Sequence, residues 1–133
     1  MINDTISDML TRIRNASGRE KAEVEMPHAN VIEGIAKVMK ESGYIEDYKV
    51  FKLKGSKLKG LNIILKYDDE GKPAFEKLQR FSKPGLRRYT KANDIKPVLS
   101  GLGMYIVSTP RGIMSGMEAK NKKLGGELIC KIY

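Results

Sequence analysis

Ser108-Thr109-Pro110-Arg111-Gly112 crowds two hydroxyls, a guanidinium and a glycine into five positions. Such a group donates several hydrogen bonds to phosphates, riboses or bases. It holds no thiolate, imidazole or carboxylate, so it reads as a binding element and not a catalytic one. Ser108 and Thr109 suit a ribose 2′-hydroxyl, and they suit bonds to local backbone equally well. Arg111 suits a two-point grip on a phosphate. Gly112 leaves room for an RNA backbone. Upstream, Arg87 and Arg88 stand beside Tyr89. That ring either stacks under an unpaired base or fills the core of a short strand. Downstream, Glu127 is an acceptor in a basic neighbourhood. It either accepts from a base amino group or locks a turn through backbone amides.

Other chemistry is thin. His28 is the only histidine, beside Pro27 ahead of a helix, and reads as a surface loop residue. No His or Cys cluster has metal-ligand spacing, and nothing calls for a cofactor. Gly101-x-Gly103 has Ile106 where a dinucleotide loop needs its third glycine, and no glycine-rich loop ends in Gly-Lys-Ser/Thr. Asp68-Asp69 belongs to a turn, and Glu23 and Glu25 to the outer face of a strand. Cys130 alternates with Leu128 and Ile132, as a small core hydrophobe would. One cysteine makes no internal disulfide and fits a reducing cytosol. The expectation is a protein that is not an enzyme.

Charge points to a partner. The chain of 133 residues carries a net +9, the mark of a polyanion binder. Residues 1–68 hold 12 Lys/Arg against 10 Asp/Glu, and residues 69–133 hold 13 against 6. The attraction is therefore concentrated in the second half, which solubility alone does not require. A basic half does not by itself separate RNA from DNA or acidic lipid. No apolar run nears the ~20 residues of a membrane span, and no signal peptide is evident, so no membrane partner is expected.

The elements that must position these groups follow from periodicity. Asn3 or Asp4 caps a first helix whose Ile6, Met9, Leu10 and Ile13 form one apolar face, with Gly18 as its stop. Arg12 and Arg14 project to other faces. Ala22, Val24 and Met26 alternate as a short strand ended by Pro27. Asn30 caps a second helix, with Glu33 completing a loose capping box and Gly43 closing it. Strands over Tyr44–Leu53 and Leu61–Tyr67 flank a basic hairpin loop. The polar cluster Asp68 to Pro73 is the best boundary, giving domains at 1–68 and 69–133. Residues 74–81 fit a helix or an irregular strand, and Ser82-Lys83-Pro84-Gly85 fits a type II turn. A short strand at 86–90, a helical turn at 94–99, a bend at 101–103 and a buried strand at Met104–Val107 come next. Ser115 and Glu118 form a capping box for a third helix, ended by Gly125-Gly126, before a last strand from Glu127 to Tyr133. The Ser108–Gly112 stretch then falls on an exposed turn handing a strand over to a helix. The fold class is α+β, as two small packed domains: helix-strand-helix-strand-strand, then mostly β with a short helix.

Three segments resemble the bacterial-type small ribosomal subunit protein eight. They are Asp4-Thr5-Ile6-Ser7-Asp8-Met9-Leu10-Thr11-Arg12-Ile13-Arg14-Asn15, then Arg80 to Tyr89 with Ser82-Lys83-Pro84-Gly85-Leu86-Arg87, then Gly101 to Gly112 through Glu118-Ala119 to Gly125-Gly126-Glu127. The resemblance implies a primary binder of the central domain of small-subunit ribosomal RNA, needed for assembly, in the cytoplasm. It implies an irregular RNA helix gripped by the C-terminal domain across its minor groove. It places the main RNA surface on Ser108, Thr109, Gly112, Tyr89, Gly125, Gly126 and Glu127, to which the basic Arg87, Arg88 and Arg111 are added. The N-terminal domain is expected to make secondary contacts to RNA and neighbouring ribosomal proteins. Repression of translation through the chain's own messenger RNA, and a monomeric free state, are further expectations. Pro110 departs from the serine usual in that turn and removes a hydroxyl and an N–H. The alternative is a general basic RNA-binding protein or RNA chaperone outside the ribosome.

Overall fold

A computed structural model describes residues 5–81, 87–98 and 103–133. The turn expected at 82–85 and most of the bend at 101–103 lie outside the described residues. By contact density the chain divides into two units, Thr5–Ala74 and Phe75–Tyr133. The cluster at 68–73 falls inside the first of these, where Tyr67 bridges to Pro73. The architecture is α+β: helices with antiparallel sheets.

The first unit opens with α1, Thr5–Gly18, whose buried face is Met9, Leu10, Ile13 and Ala16. Glu20, at φ +56, takes the left-handed position beyond it, and Lys21 N–H closes onto Ala16 O at 3.0 Å. Strand β1, Glu23–Pro27, leads to α2, Asn30–Glu41. The cap of α2 is Ala29, with no side-chain bond, which corrects the expected Asn30 capping box. Glu33 instead pairs with His28, Oε1 to Nε2, at 2.6 Å. Gly43 closes α2 at φ +82. Strands β2, Ile45–Lys52, and β3, Lys59–Leu65, complete a sheet of order β1-β3-β2. Leu61, Ile63 and Leu65 recur at period two and are buried, as a half-covered sheet demands.

The second unit is a sheet of order β4-β8-β6-β7, with β5 also against β8. Its strands are β4 Leu78–Arg80, β5 Tyr89–Thr90, β6 Met104–Thr109, β7 Gly112–Ser115 and β8 Gly126–Ile132. Helix α3, Gly116–Asn121, seats Ala119 on Ile95 and Met114. Ser115 Oγ accepts from Glu118 N–H at 3.2 Å, the first half of the expected capping box, while Glu118 Oε1 accepts from Lys122 Nζ at 2.9 Å. The helical turn expected at 94–99 is displaced: a 3-10 turn covers Ala92–Asp94, and Ile95 is already extended. Lys123 at φ +59, not the glycine pair, ends α3.

Burial of Cys130 in β8 pushes its thiol up to about 12. An unfolded thiol ionises near ~8.5. The stability this adds is whole below that pH and is lost as pH rises toward 12, because the folded state holds the proton longer. Iodoacetamide at pH 8 is expected to label native Cys130 roughly 1000-fold more slowly than the urea-unfolded chain, in proportion to its thiolate fraction. Equal rates would contradict its burial.

Candidate nucleic-acid interface

β6 runs on past Val107, so Ser108 and Thr109 are strand residues. The expected turn into a helix is a β-hairpin: β7 intervenes, paired with β6 from Ile106↔Ser115 to Thr109↔Gly112. Only Pro110 and Arg111 cross the bend. Proline's fixed φ suits the first corner of such a turn. Gly112 stands at φ +115 with nothing within 4 Å of a built Cβ. Glycine is needed there for backbone conformation, not for space.

Alternation now separates the two hydroxyls. Thr109 is only 9% exposed. Its Oγ1 donates to Gly112 O at 2.8 Å and accepts from Arg111 N–H at 3.2 Å. That hydroxyl ties the hairpin, the local-backbone use open to it. Ser108 faces the other way and is half-buried.

Register brings the distant groups together. Glu127 on β8 lies opposite Tyr89 on β5 and opposite Ser108 on β6. Directly paired residues share a face, so Tyr89, Glu127 and Ser108 form one row across three strands. Two strand spacings separate the outer members by roughly 10 Å. Tyr89 is 69% exposed, which removes the core reading of its ring. Glu127 is engaged by a neighbouring side chain. Its Oε1 accepts from Arg87 Nη1 at 2.8 Å. The carboxylate therefore holds the Arg87 guanidinium beside the phenol. Arg88 lies over the Phe81 ring, 5.6 Å from the centroid. It remains exposed, as do Arg87 and Arg111.

Gly125 and Gly126 act beneath this row. A Cβ on Gly126 would sit 2.0 Å from Ser108 O, and one on Gly125 2.6 Å from Thr90 O. Both glycines let β8 enter between β5 and β6. The sequence reading missed this role, as it missed the Arg87–Glu127 pair. The signal available was the glycine doublet next to a strand, which marks close backbone approach as readily as a helix end.

Residues 75–133 hold 12 Lys/Arg against 4 Asp/Glu. Two of those acids, Glu118 and Glu127, are paired with Lys122 and Arg87. The row thus lies in a strongly positive unit, with a flat ring, a hydroxyl and exposed guanidinium groups at one end of one sheet. Among the described residues no three His, Cys, Asp or Glu side chains gather to hold a metal ion. None of the described helices is long and apolar enough to cross a membrane.

Comparison with known proteins agrees over the whole length. The family model described as Ribosomal protein S8 matches residues 4–133. A Burkholderia cenocepacia (strain HI2424) protein, small ribosomal subunit protein uS8, is 51% identical over 131 residues, covering 98% of each chain. The protein of the same name from Ruthia magnifica subsp. Calyptogena magnifica is 48% identical over 132 residues, covering 99% of this chain and 98% of that one. With this match, and with an exposed tyrosine in the second of the resembling segments and a hairpin and a glycine-lined strand entry in the third, the chain belongs to the ribosomal protein S8 family of the small ribosomal subunit.

Proposed function

We propose that this chain is a primary binder of the central domain of small-subunit ribosomal RNA, acting in subunit assembly in the cytoplasm by binding and not by catalysis. The Phe75–Tyr133 unit carries the recognition. The observation that supports this most is the Tyr89–Glu127–Ser108 row, assembled by register from residues far apart in sequence. Tyr89 stacks on an unpaired base, Ser108 meets a ribose hydroxyl, and Arg87 and Arg111 hold phosphates. Thr109, Gly112, Gly125, Gly126 and Glu127 shape and brace that surface. The Thr5–Ala74 unit adds secondary contacts to RNA and to neighbouring small-subunit proteins. The free chain is a monomer. A similar fold in its own messenger RNA competes for the same face and represses translation.

Chemical footprinting on naked small-subunit RNA with this protein alone tests the reading. One protected site in the central domain, competed by the messenger segment, is the expected result. Scattered weak protection would favour a general RNA chaperone and overturn it. Arg111→Ala is expected to weaken binding and lower the slope of log affinity against log salt by about 1, because one phosphate contact is lost. An unchanged slope in a filter-binding titration would remove Arg111 from the contact set.

A further inference from the structure

We propose that the tip of the β2–β3 hairpin is a docking site for a second protein, one whose segment carries apolar anchors flanked by carboxylates. The inference rests on the small-subunit reading above. Among the described residues, Leu58 is 68% exposed and Leu53 44%. They face each other across the closed end of one hairpin: Leu53 N–H donates to Leu58 O at 3.0 Å. Ser56 N–H donates to Leu53 O at 3.1 Å, and Leu58 N–H to Ser56 Oγ at 3.0 Å. The loop that presents the leucines is hydrogen-bonded within itself, so their exposure is built into it.

The two leucines do not stand alone. With Phe51, Met26 and Pro27 they line a groove of about 440 Å3, bordered by Arg12, Glu25, His28 and Lys59. The Phe51 ring lies against Gly60, where a Cβ would meet its Cζ at 2.3 Å. Lys52, Lys54, Lys57 and Lys59 fall within residues 51–60, and no acidic residue does.

That chemistry selects the occupant. Leucines have no π-face and no hydrogen-bond donors, so they suit neither base stacking nor phosphate contact. The one aromatic has a face covered by its own hairpin. Apolar side chains at a groove are buried best by apolar side chains of a partner. Lys59 at the groove, with Lys52, Lys54 and Lys57 on the same hairpin, adds a demand for carboxylates around those anchors. A second copy of this chain is disfavoured, since two lysine-rich tips on molecules of net charge +9 repel each other.

The test installs photoreactive p-benzoyl-phenylalanine in place of Leu58 in the full chain and irradiates small subunits that have incorporated it. The expected adduct joins residue 58 to a peptide of another small-subunit protein, with Asp or Glu on either side of an apolar attachment point. Leu53→Ser, and separately the triple change Lys52→Glu, Lys54→Glu, Lys57→Glu, is expected to lower that adduct roughly tenfold at unchanged incorporation. Adducts to RNA alone, adducts to a segment without carboxylates, or no adduct from fully occupied subunits would each overturn the inference. A chain that never enters small subunits would sink the ribosomal reading itself and take this site with it.

Discussion

Gly126→Ala is expected to destabilise the Phe75–Tyr133 unit by about 2–3 kcal/mol and to abolish RNA binding with it. The new methyl would lie 2.0 Å from Ser108 O, 2.9 Å from Ser108 C and 3.1 Å from Thr109 Cα. All three neighbours are backbone, held in the β6–β8 ladder, so no side chain can swing aside. Relief requires β8 to pull away from β6 at the point where Glu127 pairs with Ser108. The row that joins Tyr89 to Ser108 would come apart. Urea unfolding checks the first half of this prediction, with a lower midpoint and an intact slope. A wild-type midpoint would mean that β8 shifts freely at its start, and the glycine pair would lose its structural role.

Tyr89→Ala is expected to do the reverse. Its ring is largely exposed, so the fold should keep its stability. Loss of a base-stacking ring removes about 1–3 kcal/mol, or roughly 5- to 150-fold in affinity. Tyr89→Phe keeps the π-face and should retain most of the binding. An alanine variant with wild-type affinity and an unchanged circular dichroism spectrum would take Tyr89 out of the RNA surface. The pair of variants separates two causes of one phenotype: Gly126 acts through the sheet, Tyr89 through the ligand.

Local signals carried the parts of the fold that depend on neighbours in sequence. The apolar face of α1, the strand running on from Leu61 and the Ser115 cap are short-range, and each appears where the pattern put it. Caps were harder. Asn30 is a better capping residue than Ala29, yet the helix begins at Asn30 and Glu33 turns to His28, whose N–H is held from β3 by Lys59 O at 3.0 Å. Glycine was misread for a related reason. Gly125-Gly126 looks like a helix stop, but Lys123 takes the strained φ and leaves the glycines where only a hydrogen fits.

The site shows the same division. Residue types in Ser108–Gly112 and at Arg87–Tyr89 led to the proposed RNA surface, and composition to a polyanion partner. What each side chain faces depended on register. Ser108 and Thr109 are adjacent in sequence, yet one shares a face with Tyr89 and the other is tied to Gly112. Arg87 and Arg88 part in the same way, to Glu127 and to Phe81. A one-residue difference in strand pairing would exchange these roles. No local pattern fixes it.

The proposed RNA surface is one end of the second sheet, and not the chain's general basicity. Backbone-amide NMR shifts during titration with the footprinted RNA segment test it most directly. The expected map is concentrated at 87–91, 108–113 and 125–128 at physiological salt. Shifts spread evenly over the lysines of both units, or strongest within Thr5–Ala74, would contradict it.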